Sequence, residues 1–173
     1  MKIQKPTPGT YPAFMQNYIN QVPDDGQLVK HMKETQKTFE KFILALPENK
    51  LEYRYAEGKW TIKEVIVHLS DAERIFGYRA LRFARTDKTL VTPFDENIYV
   101  PASHANERSI KSILEESRAV RAASIALIKS FNKADLKRGG ASTSGSPVTV
   151  LSSINVMLGH QLHHWQIIKE RYL

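Results

Sequence analysis

Apolar residues recur at spacings of three and four along four separate stretches of this chain, and nowhere do they alternate convincingly with polar ones. That period belongs to a helix burying one face. The first stretch runs from Asp24 to about Leu46, with Leu28, Met32, Thr35, Phe39, Phe42 and Ile43 on one side, and Pro47 ends it. The second opens on Thr61-Ile62-Lys63-Glu64. Here the Thr61 hydroxyl can accept the Glu64 amide while the Glu64 carboxylate reaches back to the Thr61 amide, a capping box. Trp60 and Val65 flank it as a hydrophobic staple, and Ile62, Val65, Leu69, Phe76 and Ala80 carry the stripe on toward Arg85. The third spans Ser109 to Phe131, and the fourth starts near Thr149, after Pro147, and runs almost to Leu173.

Four long amphipathic helices in 173 residues predict an all-α protein, a four-helix bundle built as one domain over residues 1–173. Residues 1–22 contain Pro6, Pro8, Gly9 and Pro12 and are expected to form an extended N-terminal arm over the core. Thr86 to Arg108 reads as a long irregular segment, either a crossover connection or a functional loop. GGASTSGSP, residues 139–147, reads as the clearest loop.

The chain has no Cys, which removes disulfides, thiolate metal ligands and Cys nucleophiles together. A metal would have to be held by His, Asp or Glu. The balance of 25 Lys+Arg against 18 Asp+Glu is moderately basic, but the cations are scattered and no stacking platform accompanies them. That speaks for a solvated surface and against a nucleic-acid partner. No apolar run reaches the ~18 residues of a membrane span. The N-terminus lacks the apolar core of a signal peptide, so a cytoplasmic location is expected.

At about 100° per residue, His164 falls about 20° and His160 about 60° to one side of the buried Met157, while His163 falls about 120° away. His160 and His164 therefore project inward one turn apart, and His163 points out. Such a pair either chelates a divalent ion or forms a hydrogen-bonded piece of core. A third ligand would come from a facing helix, and His68, at the edge of the second stripe, is the candidate. Three neutral imidazoles leave a coordination position open, the arrangement of catalytic zinc. His31 reads as exposed, and His104 as a loop residue, a fourth ligand or a substrate contact.

Two charges interrupt apolar stripes. Glu73 falls on the second and Arg121 on the third, and the economical arrangement is a buried pair across the bundle. Asp71 either orients His68 by a hydrogen bond or is solvated.

The string EGKWTIKEVIVHLSDAERIFGYRALRFAR, residues 57–85, resembles the signature helix of DinB-like proteins, in the branch of YfiT-like metalloenzymes. FDENIYV at 94–100, the Arg121 region and LGHQLHHWQIIKERYL at 158–173 are similar to the same family, in the same order. The resemblance covers the chain from about residue 25 onward. It implies a four-helix bundle with a crossover connection, often dimeric, and a metal on three His that map onto His68, His160 and His164. Zinc is the first expectation for that metal and nickel the second. The resemblance also implies a thiol S-transferase using a low-molecular-weight thiol. For such an activity the basic residues near the bundle mouth, Arg79 or Arg82, are candidates to hold the carboxylates of an anionic thiol. A metal-dependent hydrolase or a non-catalytic metal-binding protein are the alternatives.

Overall fold

The computed structural model describes residues 1–173 and contains four long helices joined by shorter pieces. A short 3-10 turn (Ala13–Met15) leads into α1 (Gln16–Gln21), followed by α2 (Leu28–Leu44) and α3 (Glu48–Leu51). Next come α4 (Ile62–Ala84), α5 (Glu96–Ala102), a second 3-10 turn (Ala105–Glu107), α6 (Ile110–Ser130) and α7 (Lys133–Lys137). A two-stranded hairpin, β1 (Gly139–Ala141) and β2 (Pro147–Thr149), precedes α8 (Val150–Arg171). No helix is long and apolar enough to cross a membrane.

The bundle is α2, α4, α6 and α8. Helix α4 packs against α6 and α8, and so does α2, which leaves α2 and α4 on one diagonal and α6 and α8 on the other. Two apolar clusters fill the two ends. One joins Leu28 and Met32 of α2, Ala80 and Phe83 of α4, Ile125 and Ile128 of α6, and Val150 and Ile154 of α8. The other joins Phe39 and Ile43, Ile62 and Val65, Ile113 and Leu114, and Ile168. Helices α4 and α6 therefore run parallel and adjacent. The segment between them must return the whole length of the bundle, so it is a crossover.

Both long caps follow the expected chemistry. Thr61 accepts the Glu64 amide at 3.1 Å and Glu64 accepts the Thr61 amide at 2.7 Å. Thr149 and Ser152 repeat the device at α8. Asn106, near the end of the crossover, binds this first cap: Thr61 Oγ1 donates to its Oδ1 at 2.8 Å and its Nδ2 donates to Glu64 at 2.9 Å.

Three expectations need correction. The N-terminal arm, residues 1–22, is not simply extended: residues 13–21 are helical and insert Met15 and Ile19 into the core. The short α1 packs on α8 at Gly159, where a Cβ would overlap the Tyr18 carbonyl. The crossover is not structureless, since α5 starts on an Asp95 cap. The 139–147 loop is a hairpin, with Gly139 opposite Thr149 and Ala141 opposite Pro147. Its strands are too short to show a period of two, and its two glycines hid it. A Cβ on Gly140 would lie 2.5 Å from the Phe83 ring, so only glycine lets the strand lie on α4.

Candidate metal centre

A belt of polar side chains crosses the bundle between the two apolar clusters. On one side Arg121 of α6 holds Glu73 of α4 with bonds of 2.7, 2.9 and 3.0 Å. In the middle, Gln161 of α8 donates to Gln36 of α2 at 3.0 Å, and Gln36 donates to Ser117 of α6 at 3.2 Å. On the far side α4 and α8 bring three imidazoles together. The Nε2 atoms of His68 and His164 stand 3.1 and 3.0 Å from Nε2 of His160.

The helical register explains the convergence. His160 and His164 share one face of α8, one turn apart, and α4 runs alongside with His68 turned to the same seam. His68 and His160 are buried and His164 is partly buried. Burial pushes the His68 imidazole down to about 4. Burial, then His68 and His163, push His164 down to about 3. His160 lies well below its ordinary value, again through burial first and then its three histidine neighbours. All three rings are thus neutral at pH 7, the state a metal ligand requires.

Their spacing suits the same role. Two nitrogens bound to one zinc ion at about 2.0–2.1 Å stand about 3.3 Å apart at the tetrahedral angle. One Nε2 cannot bond both neighbouring rings equally well, whereas one cation between them satisfies all three lone pairs. The donor set therefore fits a divalent ion of borderline softness.

Aromatic rings hold the imidazoles in place. Trp60 lies 4.8 Å from His68 between ring centres, and Tyr18 meets His160 edge-on at 5.1 Å. No carboxylate bonds their outer nitrogens. Asp71 bonds Arg74 at 3.2 Å instead and does not orient His68. His163 stays outside the triad but is not fully outward, since it packs half-buried on Tyr18 at 5.1 Å. His31 is half-buried and bonds Asp25 at 2.8 Å, so it is less exposed than its azimuth suggested. His104 is exposed beside Glu107 and is not part of the triad.

The triad opens on a cavity of about 630 Å³. Its floor is one face of α4: His68, Ala72, Phe76 and Arg79. Its walls come from three segments outside the bundle helices, namely residues 12–18 of the N-terminal segment, the crossover from Val91 to Glu96, and the hairpin turn at Ser142–Ser146. The crossover and the turn are tied together, Val91 N–H to the Ala141 carbonyl at 3.1 Å and Thr143 N–H to the Val91 carbonyl at 3.0 Å. Arg79 is on this floor as expected of a residue near the bundle mouth. Arg82 is not: it is engaged with Asp87 at 2.7 Å. Tyr18, Phe94 and the turn serines escaped the sequence reading, because nothing local marks a residue that reaches a site from a loop or from a helix as short as α1.

Imidazoles from facing helices, neutral and convergent beside a cavity, define a helical bundle built on the plan of a metal centre. The chain belongs to the DinB superfamily, whose model matches residues 31–168. It is similar to a predicted metal-dependent hydrolase of Oceanobacillus iheyensis, at 22% identity over 152 residues, covering 87% of this chain and 81% of that one. Among solved structures it is similar to YfiT from Bacillus subtilis, described as a probable metal-dependent hydrolase with an unusual four-helix bundle topology. The TM-score is 0.76 at 18% identity, covering 87% and 88% of the two chains. The mycothiol-dependent maleylpyruvate isomerase shares the fold at a TM-score of 0.63 and 10% identity, over 83% of this chain and 61% of that one.

Proposed function

We propose that His68, His160 and His164 hold a divalent ion, zinc before nickel, and that the protein is a metal-dependent thiol S-transferase. The observation that carries this reading is the convergence of three neutral imidazole nitrogens at the wall of a substrate-sized cavity. A divalent ion with an open position supplies Lewis acidity that makes a thiol nucleophilic near neutral pH.

The chain's own residues do the rest. Three uncharged donors leave the ion's full positive charge to act on an incoming thiol. Phe76, Phe94 and Val91 line the cavity with apolar surface and exclude water from the reacting group. Trp60 and Tyr18 keep the donor rings from turning. The chain has no Cys, so the thiol comes from a small molecule. The thiol dependence named for the isomerase of like fold supports this choice.

A second reading, a metal-dependent hydrolase, is favoured by the names of the Oceanobacillus iheyensis and Bacillus subtilis relatives. The same site would then activate water. Product formation by zinc-replete protein, with and without added thiol, separates the two. The transferase consumes thiol and electrophile together and is silent without either. Turnover of an ester or amide without thiol, suppressed when thiol is added, would establish the hydrolase instead.

A further inference from the structure

Arg79 is 7% exposed and sits on the cavity floor, yet it has no carboxylate partner. Its one hydrogen bond runs from Nη2 to the Thr92 carbonyl at 2.6 Å. Its guanidinium lies 5.6 Å from the centre of the Phe76 ring. The other buried arginine, Arg121, is saturated by Glu73. A buried cation with unused donors is costly unless something anionic arrives to meet it. Desolvation accordingly lowers the Arg79 pKa. Glu96 also lines the cavity, on α5 at its rim, but forms no ion pair with Arg79.

The spacing of the floor says what kind of molecule would arrive. His68 and Arg79 lie about 16 Å apart along α4 by the helical rise, and a helical side chain leans toward the N-terminus, here toward His68. Ala72 and Phe76 fill the floor between them. Phe76 also lies 6.3 Å from His160 between ring centres, so a single apolar ring separates the cation from the imidazoles.

We infer that Arg79 is a substrate-recognition residue, and that the cavity takes a carboxylate on an apolar body, with the carboxylate on the guanidinium and the reacting end at the imidazoles. The planar fork offers two parallel donors to a carboxylate. The body lies over Phe76 and Ala72 against Val91 and Phe94. The Thr92 bond holds the fork in place against the crossover. The inference deepens the transferase reading by naming a substrate class, and it rests on that reading only for the placement of the reacting end.

The test is calorimetric titration with phenylacetate, phenylbutyrate and phenylhexanoate, each against its primary amide. Chelator-stripped and zinc-loaded proteins are both titrated. At least one carboxylate should bind about tenfold tighter than its amide, the worth of one charge-assisted contact, in both metal states. The preference should vanish in Arg79→Gln and Arg79→Met and return in part in Arg79→Lys. A preference that survives in folded R79Q, or that needs zinc, would overturn the inference, the second because it puts the carboxylate on the ion. So would absence of binding by the whole series, or unfolding of both neutral variants, which would leave Arg79 only a pin for Thr92. Failure to take up zinc would overturn the proposed function yet leave the metal-free preference intact.

Discussion

Glu73 and Arg121 are joined by three hydrogen bonds across the interior of the bundle, with side chains only 7% and 4% exposed. The pair is mutual protection: neither charge has another counter-charge to turn to. Arg121 also reaches the Met32 carbonyl at 3.4 Å, so α2 is touched by the same fork.

Arg121→Ala should therefore cost about 3–5 kcal/mol, the penalty of leaving a buried carboxylate alone. Replacing both residues with apolar ones of similar size should recover much of that loss. Urea unfolding of the single and double variants measures it. A near-neutral single change would mean that water reaches Glu73.

Metal content divides the four C-terminal and α4 histidines. Replacing His68, His160 or His164 with Ala should abolish stoichiometric zinc uptake, measured by elemental analysis of refolded, zinc-dialysed protein. His163→Ala should keep it, because His163 packs on Tyr18 and is not part of the convergent set. Loss of zinc from the His163 variant alone would assign the ligands wrongly.

Acid should weaken the metal-free fold in a defined window. Burial lowers His68 to about 4 and His164 to about 3, whereas an unfolded imidazole titrates near 6.5. Below about pH 6.5 the unfolded chain gains protons that the folded one refuses, so stability falls as pH drops, by up to about 1.4 kcal/mol per pH unit for each such imidazole. The slope flattens once the folded-state values are passed. Denaturant midpoints of chelator-stripped protein between pH 7 and pH 4 test this. A flat profile would show that the rings are solvated.

Gly159→Ala should separate α1 from α8. The added methyl overlaps the Tyr18 carbonyl, and neither helix backbone can yield locally. The expected cost is about 3 kcal/mol, at the upper end for overpacking. Limited proteolysis should then cut near residues 1–22, which resist it in the unchanged protein. An arm that stays protected would place the contact elsewhere.

Much of this was legible because it is periodic. The helix boundaries at Thr61 and Thr149, the inward azimuths of His160 and His164, and the opposed positions of Glu73 and Arg121 follow from 3.6 residues per turn and from capping chemistry. What stayed hidden depends on tertiary contact. Helices α1 and α5 are too short to show a stripe, and α1 is held by Gly159, far away in sequence. The 139–147 hairpin is decided by Phe83 beneath Gly140. Asp71 bonds Arg74, three residues further along α4, and makes no bond to His68, a choice of partner that the spacing alone does not decide.

The imidazoles stand on two bundle helices, whereas much of the cavity wall comes from outside the bundle: residues 12–18 of the N-terminal segment, 91–96 of the crossover and 142–146 of the hairpin turn. The donor atoms and Arg79 are thereby fixed by the bundle, while the shape of the rest of the cavity is set by separately replaceable parts. An insertion or a new side chain in the hairpin turn reshapes what can enter without moving a donor atom. A scaffold divided in this way can drift among substrates while its chemistry stays in place.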